Sequence, residues 1–140
     1  MVPINYLAVF LNVVIAMGLG FLWYGPLFGK QWAEMMGRTA DSMDEARKKG
    51  MGKLYAIQAL GALLMSFVLA HSIIFVAAYL QVTGVIAGIE AAIWNWVGFI
   101  APVTVGSVLW EGKSWKLWAL NAGYYFIVLM AMGILLSLWP

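Results

Sequence analysis

No cysteine occurs in the 140 residues, which excludes disulfides, thiolate metal sites and a cysteine nucleophile. Charge is nearly as scarce. Asp, Glu, Lys and Arg make up 10% of the chain against 64% hydrophobic residues, where a soluble domain is roughly a quarter charged. A water-soluble globule is therefore excluded. Histidine occurs once, which leaves too few ligands for a metal site in one chain, and no cofactor or metal is expected. The net charge of +2 is small and lies between the apolar runs, so no nucleic acid is expected as a partner. The start, Met1-Val2-Pro3-Ile4-Asn5, lacks a basic n-region, and no cleavable signal is expected. The glycines follow packing intervals and form no phosphate loop. The lone histidine has no Ser or Cys motif beside it, so no catalytic residue is assigned.

What the chain has instead is four apolar runs, about 3–24, 53–80, 84–110 and 115–139. At ~1.5 Å per helical residue each can cross a hydrocarbon core of ~30 Å. The pattern predicts one all-α domain over 1–140: a polytopic membrane protein with four transmembrane helices in an antiparallel bundle. Pro3 suits the first turn of the first helix. Asn5, Asn12 and Ala16 share a face of it that should look into the bundle, because an amide facing lipid is unsatisfied. Gly25-Pro26 is expected to end that helix. Phe28, Trp32, Met35 and Met36 then keep helical spacing among Lys30, Gln31, Glu34 and Arg38, which predicts a short amphipathic helix in the interface. Ser42-Met43-Asp44-Glu45 has a capping-box pattern and should open a second short helix that stops near Gly50. Pro102 cannot donate to the carbonyl of Gly98, so the third long helix should be irregular there.

Tryptophan and tyrosine mark the expected membrane–water boundaries: Trp23, Tyr24, Trp32, Trp115, Trp118 and Trp139 are read as interface anchors. All eight Lys and Arg residues fall between, or at the facing edges of, helices one and two or helices three and four. By the positive-inside rule the loops 25–52 and 111–114 are cytoplasmic and both termini lie outside.

Two helices carry ridges of small residues, Ala62/Ser66/Ala70 and Gly84/Gly88/Ala92, which let a second backbone approach closely. They exceed what four helices need among themselves, so a homo-oligomer is expected. Two ionisable residues sit inside apolar runs, His71 in the second and Glu90 in the third. Counted back from a turn at Leu80–Thr83, they lie ~13 Å and ~10 Å deep, at similar levels on antiparallel neighbours. Asn12 is at a comparable depth, and Asn95 adds a polar group further along. His71, Glu90, Asn12 and Asn95 are the candidate intramembrane polar site, with His71 and Glu90 able to exchange one proton. The plainer reading makes the same groups interhelical glue.

Two stretches carry a resemblance. One is Trp23-Tyr24-Gly25-Pro26-Leu27-Phe28-Gly29-Lys30-Gln31-Trp32. The other runs from Trp110-Glu111-Gly112-Lys113 through Asn121-Ala122-Gly123-Tyr124 to Met132-Gly133 and Trp139. With the helix spacing, they resemble the DUF1761 family of small bacterial four-helix membrane proteins, a domain of unknown function. The resemblance implies the fold and a bacterial inner membrane, on whose periplasmic side the charge rule above then puts both termini, and it supplies no activity. The expected role is a small homo-oligomeric transporter or channel component with its polar His/Glu site in the outer half of the membrane, the lipid bilayer around it and a small ion or small molecule as substrate. A structural or accessory subunit is the second reading, and a membrane enzyme on a lipid-like substrate the third.

Overall fold

A computed structural model describes residues 3–140. Asn5 caps the first helix, α1 (Tyr6–Leu22), its Oδ1 accepting from the Leu7 and Ala8 amides at 3.1 and 3.2 Å. Pro3 therefore precedes the helix instead of opening it, and Asn5 serves the helix end instead of the bundle interior. A side-chain acceptor for the orphan first-turn N–H groups decides where the helix begins.

The expected stop at Gly25-Pro26 is also displaced. The helix continues as a π-turn, Trp23–Leu27, with Pro26 inside it. The Phe28 amide reaches back five residues to the Trp23 carbonyl at 2.9 Å, and the chain leaves the helix only at Phe28. A wider turn accommodates a residue that donates no bond. Two short helices follow, α2 (Gly29–Met35) and α3 (Ala40–Lys48). The capping box of α3 is formed by Thr39 and Ser42, so that helix starts earlier than the Ser42 cap expected from sequence.

The second span is α4 (Gly52–Leu80), ended by Gln81 in the left-handed conformation at φ 56°. Gly84, at φ +59°, opens α5 (Gly84–Asn95). A second π-turn, Trp96–Ile100, follows directly, and then α6 (Ala101–Thr104) and α7 (Gly106–Leu109). The irregularity expected near Pro102 is thus taken up by the wide turn before it. Ser114 caps α8 (Trp115–Leu138), accepting from the Leu117 amide at 3.1 Å.

Four helices are long and apolar enough to cross a membrane: 6–27, 52–80, 84–109 and 115–138. They alternate in direction, so all eight Lys and Arg residues collect at one end of the bundle. α1 packs on α4 and α8, and α5 packs on α4 and, most extensively, on α8. The core is built from small residues. Ala8, Val9 and Ala16 of α1 share one buried cluster with Ala62, Leu69 and Ala70 of α4, Ala91 and Ala92 of α5, and Val128 and Met132 of α8.

Both small-residue ridges are occupied within the single chain. Ala62, Ser66 and Ala70 are buried in α4, and Gly88 and Ala92 in α5. A Cβ on Gly88 would overlap the Gly133 carbonyl, and one on Gly133 would lie 2.5 Å from the Gly88 carbonyl oxygen. The two backbones touch there. Gly84 belongs to the exposed turn. The small residues therefore leave no free ridge for a subunit contact, which removes the ground on which they pointed to an oligomer.

Candidate functional site

The polar residues inside the spans separate into two groups. Asn12 and Ser66 are fully buried, and the Asn12 amide donates to Ser66 Oγ at 2.9 Å and toward the Met132 carbonyl at 3.4 Å. The Oδ1 of Asn12 is buried without a partner. This layer ties α1, α4 and α8 together at mid-bundle. Asn95 bonds its own helix, donating to the Ala91 carbonyl at 2.8 Å. His71 and Glu90 do not join Asn12, nor each other. The His71 ring engages the Phe67 carbonyl of its own helix, and no ion pair links it to Glu90.

A cavity of about 1440 Å³ lies in the other half of the bundle, open at the cation-bearing end. Its floor is Ala16, Gly20 and Tyr124, about one helical turn short of Asn12. One wall is the lower part of α4 with Tyr55 and Gln58. The facing wall is Thr104 and Ser107 of α6 and α7, with Trp110 beyond them. Trp118, Asn121 and Tyr125 of α8 form the back, and Trp32, Arg38, Met43 and Arg47 of the short helices frame the mouth. The cavity exists because the helices part. Gly52 to Gln58 of α4 are exposed on every side, whereas α1 and α8 stay together behind them.

A set of aromatic hydrogen bonds fixes the back wall. Trp23 Nε1 donates to the Leu120 carbonyl at 3.1 Å, Tyr24 OH to Asn121 Oδ1 at 2.8 Å, and Trp96 Nε1 to the Ala122 carbonyl at 2.7 Å. Tyr124 OH donates to the Ala16 carbonyl at 2.9 Å, and Trp118 Nε1 to Thr104 Oγ1 at 3.0 Å. Trp23, Tyr24 and Trp118, expected as interface anchors, thus aim their polar atoms into the protein. The physical reason is the same as for any buried indole or phenol: the polar tip seeks a partner once the ring is covered. Trp115 and Trp139 stay exposed on the bundle surface. Trp32 packs edge-on against Tyr24, and the Arg38 guanidinium lies 5.3 Å from its ring centroid.

The side chains of the cavity supply a binding surface. Among the described residues no three His, Asp or Glu side chains gather as a metal site. The walls offer broad aromatic surface, a few amide and hydroxyl groups, two guanidinium groups at the entrance and one carboxylate, Glu111. Asn121 and Tyr125 lie one turn apart on α8, but helical spacing alone does not connect them to Gln58, Tyr24, Thr104 or Ser107. The available signal was polar residues at helical spacing, Tyr55/Gln58, Thr104/Ser107 and Asn121/Tyr125, all at the cation-bearing end.

Fold and site together define an all-α membrane protein of four spans with an amphiphilic cavity open at one end. The chain belongs to the DUF1761 family, described as a protein of unknown function, whose match covers residues 7–137. No curated protein and no solved structure matches it.

Proposed function

We propose that this protein is a small transporter of the bacterial inner membrane, that its cavity opens to the cytoplasm, and that both termini are periplasmic. The observation that carries the reading is a cavity of about 1440 Å³ that enters from one end and stops below the buried Asn12–Ser66 layer. A site open to one side and sealed from the other is what alternating access requires; a channel would need a continuous path. The opposite end has its own smaller recess of about 590 Å³, bounded by Ile73, Ala77, Ala87 and Ser137. The polar layer separates the two.

The size exceeds the ~300–1,000 Å³ of ordinary small-molecule sites and suits a lipid-sized or multi-ring molecule. Aromatic walls favour a hydrophobic body, and Arg38 and Arg47 outnumber the lining carboxylate Glu111. Asp44 lies 3.9 Å from Arg47, which leaves Arg38 as the cation that favours an acidic head group. The second reading, an accessory subunit, has no comparable observation in its favour.

Because the chain has no cysteine, single cysteines test the access directly. In oriented membrane vesicles, Met17→Cys and Gln58→Cys should react with a water-soluble maleimide from the cation-bearing side only. Prior addition of a dansyl alkyl sulfonate should slow both reactions. Equal labelling of Met17→Cys from both sides would replace the transporter by a pore. No labelling from either side would mean that lipid fills the cavity, and the reading would fail.

A further inference from the structure

Glu90 is the only acidic residue within the four spans, and it is half-buried on the flank of α5 opposite that helix's buried residues. Its neighbours on that face, Ile86, Trp94 and Val97, are 59%, 60% and 52% exposed, while α5 buries Ala87, Gly88, Ala91 and Ala92. Among the described residues it has no ion pair. His71 is placed alike on α4, between Phe67, Val68 and Phe75, all exposed, and away from the buried Ala62, Ser66, Leu69 and Ala70.

The ring of His71 is held in one orientation. Its Nδ1 lies 2.9 Å from the Phe67 carbonyl oxygen, and its face is edged by the Phe67 ring at 4.6 Å. A carbonyl only accepts, so Nδ1 carries the hydrogen. The neutral ring then presents Nε2 as an acceptor, on the side away from its own helix.

We propose that a second copy of this chain covers these faces, with Glu90 of one copy meeting His71 of the next. Chemical complementarity is the first argument: a carboxyl group and a pre-oriented imidazole acceptor, each lacking a partner across the bundle surface. Depth is the second. From the turn at Gln81–Thr83, His71 lies ~13 Å and Glu90 ~9 Å down by helical rise. Copies related by an axis along the membrane normal keep every residue at its own depth, so only groups of similar depth can meet. The third argument is the cost of the other occupant. Lipid against Glu90 leaves a carboxyl in hydrocarbon with no hydrogen-bond partner.

In the contact the proton has two positions. A protonated carboxyl donates to Nε2, or an imidazolium donates to the carboxylate; the pair is net neutral in both, which suits a low-dielectric setting. This interface uses the outer faces of α4 and α5 and none of the small-residue ridges.

The absence of cysteine again makes the test direct. Chains carrying His71→Cys and differently tagged chains carrying Glu90→Cys are co-expressed and oxidised in the membrane. The expected product is a mixed disulfide dimer, well above the yield of a collision control that pairs Ile57→Cys with Leu22→Cys. In mild detergent, Glu90→Ala should weaken the association constant about threefold or more, the value of one interhelical polar contact. A mixed dimer no more abundant than the control overturns the proposal. So does a disulfide that closes within one chain carrying both cysteines, or an oligomer that Glu90→Ala leaves unchanged.

Discussion

Gly88 and Gly133 bring two backbones into contact, and what they tolerate differs sharply from what a free glycine tolerates. A methyl group on Gly88 meets the Gly133 carbonyl, which cannot move without shifting α8. Gly61 has nothing within 4 Å of the same methyl position. Gly88→Ala should therefore destabilise the bundle by about 1–3 kcal/mol, as overpacking of a tight core does. Gly61→Ala should be neutral or stabilising by up to ~1 kcal/mol, from helix propensity alone. Thermal unfolding of the two variants in the same detergent checks both; equal melting temperatures would contradict the backbone contact. The small-residue spacing was legible in the sequence, but its partner was not, since spacing says that something comes close and not what. Asn12 repeats the lesson. Its inward direction followed from the cost of an amide in lipid, whereas its partner proved to be Ser66 rather than His71 or Glu90.

At the scale of elements, the four spans and both short helices were readable because hydropathy and punctuation residues mark them. The two π-turns were not. They preserve the helix direction that Gly25-Pro26 and Pro102 were expected to break, and a local signal for a chain stop looks the same whether the turn widens or ends. A π-turn is one residue in excess of the regular helix, so deleting Gly25 should restore an α-turn and rotate everything beyond it by about 100°. That rotation carries α2 away from α8, where Ser114 Oγ now lies 3.8 Å from Met35 Sδ. With Met35→Cys and Ser114→Cys, a short bifunctional thiol reagent should cross-link the parent chain and fail in the Gly25 deletion. Cross-linking at the same rate would show that the π-turn does not set the direction of α2.

For the whole molecule, the clustering of all eight Lys and Arg residues at one end makes orientation the property most exposed to test. Alkaline phosphatase fused after Pro140 should be active, and a cytoplasmic reporter at the same point silent, if the cation-bearing end is inside. The opposite pattern would invert the protein and turn the cavity outward. The cavity itself was not legible in the sequence, because it arises from helices diverging, and divergence depends on what their partners leave uncovered. α4 packs on α1 and α5 and buries Ala62, Ser66, Leu69 and Ala70, while Gly52 to Gln58 are all exposed. At 29 residues α4 is ~43 Å long, well beyond a ~30 Å hydrocarbon layer. Hydrophobic mismatch is relieved most cheaply by tilting the part that no core contact restrains. A thinner bilayer should lean that free arm further over, and a thicker one should stand it upright. The width of the cavity mouth is thereby coupled to the thickness of the membrane around it.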